Sequence, residues 1–106
     1  YLDSLGIDFL TEDQTRELDP GAPTPDYLLS EPLKISQDGV MHVVHWIDAK
    51  NYFLASTGFP IKSLKRQAAR YNQAYGTGAL ISSVGYDSSI QIEGTLLLDS
   101  VSVLEQ

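Results

Sequence analysis

The sequence contains no cysteine and only two histidines, His42 and His45, among its 106 residues. Disulfide bonds and thiolate metal sites are therefore excluded, and a zinc site would be short of its usual ligands. We interpret His45 as a packing residue rather than a metal ligand. Carboxylate sites for Mg²⁺ or Mn²⁺, which prefer oxygen ligands, stay open. The lack of cysteine also fits an intracellular protein.

Long apolar runs are missing as well. No run approaches the roughly 18 apolar residues of a membrane-spanning helix, and no secretory signal is recognisable. Apolar residues make up 42% of the chain, and a chain of this length can bury roughly 60–70% of its unfolded surface. We therefore expect a single domain over residues 1–106 that does not enter a membrane.

Positive charge is scarce, with seven Lys and Arg residues against 14 Asp and Glu residues and a net charge of −7. This acidity opposes nucleic-acid binding, because phosphates attract Lys and Arg. However, Lys62, Lys65, Arg66 and Arg70 fall within nine positions of one another. These four are candidate nucleic-acid-binding residues, or they form an ordinary solvated helix face.

The amino-terminal part predicts helical structure. Residues 1–10 are typical of the last turn of a helix followed by an apolar turn, which suggests a piece of a longer protein whose preceding helix lies upstream. Thr11 and Gln14 match a capping box at the start of a short helix that should end near Leu18. Turn-forming residues follow at 19–23.

Two strands and a tight turn are predicted next. Residues 27–35 and 41–51 read as the strands of a hairpin joined at residues 37–39. Pro32 lacks the N–H that a central strand needs, so it should push the first strand toward an edge or a bulge. The apolar bulk on both faces of residues 41–51 indicates that this strand is covered on both sides.

The strongest helical pattern covers residues 61–75, where apolar residues recur at spacings of three and four. Glycines at 76 and 78 should end this helix. It connects strand 41–51 to a strand predicted at 79–84, so these two strands should run parallel with a right-handed crossover. A further strand is predicted within residues 90–98, interrupted by Gly94. The order of elements indicates an α/β fold with a mixed sheet flanked by helices.

A candidate site lies where the hairpin strands meet the loops. Alternate residues of a strand share a face, so Asp48 and Lys50 should point the same way, together with Val44 and Trp46. Asp26, which follows Thr24-Pro25 at the start of the first strand, supplies a second acid. Alternatively, Asp26 caps a turn, and Asp48 and Lys50 form a surface ion pair.

Phosphodiester cleavage is a reaction that such residues could support. The carboxylates of Asp26 and Asp48, with the main-chain carbonyl of Ala49, could hold Mg²⁺ or Mn²⁺, and Lys50 could stabilise negative charge beside them. Gln67 and Tyr71 lie four residues apart on one face of the basic helix and could orient the site or the substrate. The alternative for this pair is a half-buried polar residue and a core aromatic residue.

These residues resemble a known family. Asp26, Asp48-Ala49-Lys50 and the pair of Gln67 and Tyr71 are similar to the PD-(D/E)xK nuclease superfamily, in its branch with a Q-x-x-x-Y helix. More narrowly, residues 9–14, 24–26 and 44–50 resemble the TPD-motif nucleases of the codanin-interacting type. The likeness runs from about residue 5 to residue 98.

The resemblance implies a restriction-endonuclease-like core and a nuclease that uses Mg²⁺ or Mn²⁺ to cleave DNA. It also implies a nuclear or cytoplasmic location, a codanin-like protein partner and a place at the carboxyl-terminal end of a longer protein. Asp48 stands where the close relatives carry Glu. The first helix of the superfamily contributes a metal-binding Glu that would precede Tyr1 here, and Glu12, in a later short helix, is a poor substitute.

Two other functions remain open. The net acidity, the missing first helix and the aromatic residues Tyr52 and Phe53 would also fit a degenerate nuclease fold that serves as a protein-interaction module. An enzyme of the same fold that acts on RNA is a third possibility, because nothing in the sequence distinguishes DNA from RNA.

Overall fold

A five-stranded mixed β-sheet and two helices form the part of the chain described by a computed structural model. That part comprises residues 8–37, 39–50, 52, 54–55, 59–87 and 89–99. Among these residues, none of the helices combines the length and the apolarity needed to cross a bilayer. The predicted helical turn before residue 8 and the short apolar stretch after residue 100 lie outside the described residues.

The strands occupy the sheet in the same order as in the chain. The elements are β1 (Phe9–Thr11), α1 (Glu12–Leu18), β2 (Tyr27–Gln37), β3 (Val40–Lys50), α2 (Phe59–Tyr75), β4 (Gly78–Ser82) and β5 (Thr95–Asp99). Strands β1 to β3 pair antiparallel, and β3, β4 and β5 pair parallel. The parallel pairing of β3 with β4 confirms the prediction from the crossover helix α2, and the mixed sheet confirms the α/β class.

Helix α1 begins with the predicted capping box. The amide of Gln14 donates to Thr11 Oγ1 at 3.4 Å, and the amide of Thr11 donates to Gln14 Oε1 at 3.0 Å. The helix ends at Leu18, as predicted. Immediately before it, the prediction of an apolar turn at residues 9–10 is wrong, because β1 pairs there with β2. A strand of three residues is too short for its alternation to show in the sequence.

The β2–β3 hairpin contains the irregularity expected at Pro32. Pairing passes from Leu28 opposite Trp46 to Leu33 opposite Val44, so the intervening residues of β2 face a single residue of β3. Both ends of the predicted turn are in place, and Gly39 has a φ of +78°, which favours glycine. The predicted turn residue Asp38 and the predicted strand end at Asn51 lie outside the described residues.

The two faces of β3 differ from the predicted alternation. Trp46 packs against α2, and its ring contacts that of Tyr71 edge-on at a centroid distance of 4.9 Å. Val44 instead belongs to the core cluster on the other side, with Ile47. The prediction that Val44 and Trp46 share a face is therefore wrong, because the hairpin changes register between them and breaks the period of two.

Helix α2 covers the Trp46 side of the sheet with the apolar stripe expected from the sequence, including Ile61, Leu64 and Ala68. It begins at Phe59, two residues before the predicted start, and ends at Tyr75, as predicted. Two contacts then fix the turn into β4. Trp46 Nε1 donates to the carbonyl of Gly76 at 2.9 Å, and His45 Nδ1 lies 3.0 Å from the carbonyl oxygen of Thr77. His45 is a packing residue here, as expected.

Strand β5 is shorter than the stretch of residues 90–98 from which it was predicted. Gly94, with a φ of +69°, forms a turn immediately before Thr95 and restricts the strand to the residues after it.

Candidate active site

Asp26 and Asp48 converge at the open end of the hairpin, opposite its turn. Asp26 precedes Tyr27, which pairs with Ile47, and Asp48 follows Ile47 in β3. The amide of Asp26 donates to Asp48 Oδ1 at 2.9 Å, and the amide of Ala49 donates to Asp26 Oδ2 at 2.8 Å. The main chain at or next to each aspartate thus donates a hydrogen bond to the carboxylate of the other, and both aspartates line the same cavity.

Lys50 links this carboxylate pair to helix α2. Its Nζ lies 2.6 Å from Asp48 Oδ2 and donates to Gln67 Oε1 at 2.9 Å. The side chain of Lys50 is only 16% exposed. The ammonium group is therefore held between a strand and a helix, unlike the two exposed ion pairs of Arg16 in α1.

Asp48 is buried at 3% exposure. Burial raises the pKa of this carboxyl above the usual aspartate value, because the charged form loses hydration. The Lys50 ammonium, by hydrogen bond and by charge, and the amide of Asp26 lower the same pKa without cancelling the effect of burial. The fold therefore partly disfavours the ionised form of Asp48, which is typical of functional carboxylates.

Tyr71 is 4% exposed, and its hydroxyl donates to the carbonyl of Thr24 at 3.2 Å. Burial raises the pKa of this phenol, and the negative charges of Asp48 and Asp26 raise it further. The hydroxyl is thus a neutral donor that faces the main chain just before Asp26. Gln67, one turn earlier in α2, faces Lys50, so the two members of the Q-x-x-x-Y pair contact different parts of the site.

The site opens into a cavity of about 470 Å³. Its lining includes every predicted catalytic and metal-binding residue, but only one of the four basic candidates. Glu12 and the turn before Asp26 complete the wall, and the sequence did not predict their place there. The lining residues are Glu12, Gly21, Ala22, Pro23, Thr24, Asp26, Asp48, Ala49, Lys50, Gln67, Arg70 and Tyr71.

Glu12 reaches the cavity because α1 packs beside the start of β2, a tertiary placement that no sequence period reveals. Its Oε1 lies 2.6 Å from Arg16 in an exposed ion pair. Within the described ranges, no cluster of three or more His, Cys, Asp and Glu side chains could hold a metal ion.

Lys62, Lys65, Arg66 and Arg70 are all exposed on α2. Among the residues that the structure describes, none of them forms an ion pair. Only Arg70 lines the cavity. The basic candidates therefore divide into one residue at the site and three beyond its rim.

The donor set of the site fits a hard divalent cation. Two aspartate carboxylates face one water-accessible cavity, and each carboxylate oxygen can accept more bonds than the protein supplies. Mg²⁺ is commonly held by one or two carboxylates, with waters and substrate phosphate completing its shell. Asp26, Asp48 and the carbonyl of Ala49 are the groups that would hold it.

Comparison with known proteins supports a family assignment. No solved structure matches the chain significantly. An uncharacterized protein of Acanthamoeba polyphaga mimivirus is 43% identical over 103 residues, which cover 97% of this chain and 38% of that relative. The chain thus spans less than half the length of the viral protein. A family model described as a protein of unknown function with the TPD sequence motif matches residues 1–101. The chain therefore belongs to the TPD sequence-motif family.

Proposed function

We propose that this chain is a metal-dependent nuclease domain of the PD-(D/E)xK superfamily that hydrolyses phosphodiester bonds in DNA. One observation carries the proposal: two acids 22 positions apart converge through hydrogen bonds, with an ammonium group 2.6 Å from one of them. A structural ion pair alone does not need a second aspartate or an open cavity. The five-stranded mixed sheet with α2 on one face is compatible with a restriction-endonuclease-like core.

The proposed chemistry assigns a role to each side chain. When bound, Mg²⁺ or Mn²⁺ supplies charge neutralisation at the phosphate and makes a water more acidic. Asp26 and Asp48 would hold the ion, and the reciprocal bonds at the hairpin end fix the distance between them. Lys50 places a positive charge where negative charge develops on the attacked phosphate. Gln67 keeps that ammonium group from turning away into solvent.

The basic residues of α2 would provide the contacts to the nucleic-acid backbone. Arg70 lines the cavity and can contact a phosphate next to the scissile bond. Lys62, Lys65 and Arg66 continue the positive surface along the same helix. The net charge of −7 does not prevent such binding, because phosphates respond to the local field and Asp26 and Asp48 would be neutralised by bound cations.

Cleavage assays with matched variants test this proposal. The protein is incubated with duplex, single-stranded and branched DNA and with RNA, in Mg²⁺, in Mn²⁺ and in EDTA. We expect cleavage of DNA that needs the divalent cation and falls by about 10²–10³-fold in Asp48→Asn. Glu31→Gln is the control, because it removes the same charge from an exposed position of β2 outside the cavity lining. Equal cleavage by wild type and Asp48→Asn would refute the assignment.

A protein-interaction module built on a degenerate nuclease fold is the second candidate. The lack of a third metal-binding carboxylate in the described ranges favours it. Calorimetry separates the two functions: the nuclease binds Mg²⁺ and branched DNA, whereas the module gives no heat with either in the full-length protein. RNA cleavage in the same assays would identify an RNA-directed enzyme instead. A nuclear or cytoplasmic location and a codanin-like partner stay predictions that accompany the nuclease.

A further inference from the structure

Two tyrosines of α2 contact consecutive carbonyl groups of one segment. Tyr71 and Tyr75 lie four residues apart, one helical turn, on the same face of the helix. The Tyr71 hydroxyl donates to the carbonyl of Thr24 at 3.2 Å, and the Tyr75 hydroxyl donates to the carbonyl of Pro23. Burial raises the pKa of both phenols, so both remain neutral hydrogen-bond donors.

The segment that these hydroxyls contact is the one that carries Asp26. Pro25 is fully buried between Thr24 and Asp26, so this stretch of main chain has little room to move independently. The amide of Asp26 then donates to Asp48, and its carboxylate accepts from the amide of Ala49. The Thr-Pro-Asp triplet is thus anchored to α2 on one side and to β3 on the other.

A second anchor is needed because like charges oppose the approach of the two aspartates. The hydrogen bonds of 2.9 and 2.8 Å that join them bring two negative charges to the same end of the hairpin, where they repel each other. The β2–β3 pairing does not resist this repulsion fully, because Asp26 precedes the first residue of β2. Bonds from α2 to the preceding carbonyls oppose the outward movement of Asp26.

We propose that Tyr71 and Tyr75 act as a clamp: positioning residues that hold Asp26 against Asp48 through the carbonyls of Thr24 and Pro23. Neither hydroxyl needs to touch substrate. The clamp sets the geometry of the carboxylate pair, so its effect on cation binding rests on the proposed nuclease function. Its effect on the protein alone does not depend on any activity.

Hydrogen exchange measured by NMR tests the clamp in the metal-free protein. Tyr75→Phe removes one hydroxyl and keeps the ring, and the double variant with Tyr71→Phe removes both. We expect the amides of Asp26 and Ala49 to exchange about fivefold faster in Tyr75→Phe and at least tenfold faster in the double variant. The amide of Leu80 in β4 should keep its wild-type rate.

Tyr86→Phe is the matched control, because Tyr86 packs against the same core cluster but does not line the cavity. It should leave the Asp26 and Ala49 amides unchanged. The clamp is refuted if the double variant folds with wild-type exchange at both amides, or if exchange rises equally at Leu80, since a purely structural role would loosen the whole sheet.

Calorimetry with Mn²⁺ provides the second readout. The double variant should bind Mn²⁺ several-fold more weakly than wild type, and Tyr86→Phe should bind it with wild-type affinity. Equal affinity in the double variant and wild type would overturn the clamp as a determinant of cation binding. A wild-type protein that binds no Mn²⁺ would instead refute the proposed nuclease, while the exchange rates would still decide whether the clamp exists.

Discussion

At the residue scale, Lys50 and a metal ion would compete for the same carboxylate. The Lys50 ammonium lies 2.6 Å from Asp48 Oδ2 and repels any cation that approaches this oxygen. We expect Lys50→Ala to reduce cleavage by about 10²–10³-fold while it raises Mg²⁺ affinity. Without metal, the variant should be less stable than wild type, because it leaves the buried Asp48 charge unpaired.

Thermal unfolding with and without Mg²⁺ checks this prediction. Mg²⁺ should raise the melting temperature of Lys50→Ala by more than it raises that of wild type, since stabilisation grows with affinity. Lys34→Ala, which removes an exposed lysine of β2, serves as the control and should respond like wild type. A smaller Mg²⁺ effect in Lys50→Ala than in wild type would show that Lys50 helps cation binding rather than opposing it.

A second prediction concerns the effect of Asp48 on how stability depends on pH. Its pKa is raised in the folded protein, so the folded state binds its proton more tightly than the unfolded state does. The contribution of Asp48 to stability is therefore fully present below the ordinary aspartate pKa of about 3.9 and is lost as the pH rises through the higher folded value. Asp48→Asn cannot ionise and should avoid this loss.

Melting temperatures in EDTA at several pH values measure the effect. The melting temperature of Asp48→Asn should rise relative to that of wild type as the pH increases from 4 to 7.5. The Glu31→Gln control, at an exposed residue, should show no comparable change. A difference that moves in favour of wild type over this range would mean that Lys50 outweighs burial at Asp48.

The site residues that could be predicted from the sequence are those whose positions follow from the periodicity of a single strand or helix. Asp48 and Lys50 follow from the alternation of a single strand, and Gln67 and Tyr71 from the period of a single helix. Glu12 reached the cavity through the packing of α1, and Tyr75 could not be distinguished from an ordinary core residue of the α2 stripe. Val44 was assigned to the wrong face because the register shift arises from the pairing with β2, and the sequence of β3 alone carries no signal of it.

At the scale of elements, the packing of the first residue of β4 against Trp46 depends on the absence of a side chain at Gly78. A Cβ on Gly78 would lie 2.1–2.4 Å from ring atoms of Trp46, which is fully buried. We expect Gly78→Ala to cost about 3 kcal/mol of unfolding free energy, because neither the ring nor the strand can move aside cheaply. Denaturant unfolding measures this cost.

Gly39→Ala is the matched control, because its Cβ would meet no atom within 4 Å and only its φ of +78° is unfavourable. It should cost about 1 kcal/mol. A cost for Gly78→Ala no larger than that for Gly39→Ala would mean that the Trp46 ring or the strand moves aside to admit the Cβ, so contact with Trp46 does not require glycine at residue 78.

The elements themselves were largely predictable because their signals are local. The capping box of α1, the glycine of the hairpin turn and the apolar stripe of α2 are each recognised from residues that are near neighbours in the sequence. Strand β1 was missed because three residues carry no measurable period. The start of β5 was misplaced because a glycine within a strand pattern does not show whether the residues before it or those after it form the strand.

At the scale of the whole molecule, the distribution of charge matters more than its sum. The net charge is −7, but α2 carries four exposed basic residues without ion pairs among the described residues. We expect the double variant Lys65→Gln and Arg66→Gln to weaken DNA binding and to reduce the slope of log affinity against log salt by about two. Binding is measured in EDTA, to keep it separate from cleavage.

Lys34→Gln is the control for this experiment, because it removes one exposed positive charge from β2 rather than from α2. Its salt slope should match that of wild type. Equal slopes for the double variant and wild type would place the nucleic-acid surface elsewhere.

The parallel pairing of β3 with β4 was also predictable, because a crossover helix between two strands allows few other arrangements. The cavity was not, since it forms where α1, the turn before Asp26 and α2 meet, and three-dimensional packing of separate segments leaves no short-range pattern in a sequence.

The hairpin has a practical consequence for experiments on this protein. The tip at Gly39 lies nine residues along β3 from Asp48, a contour of roughly 30 Å at about 3.3 Å per residue. The glycine is exposed, and a Cβ there would meet nothing. An affinity handle inserted at this tip would therefore immobilise the protein, and a fluorophore there would label single molecules. Neither would contact the carboxylates at the other end of the same two strands.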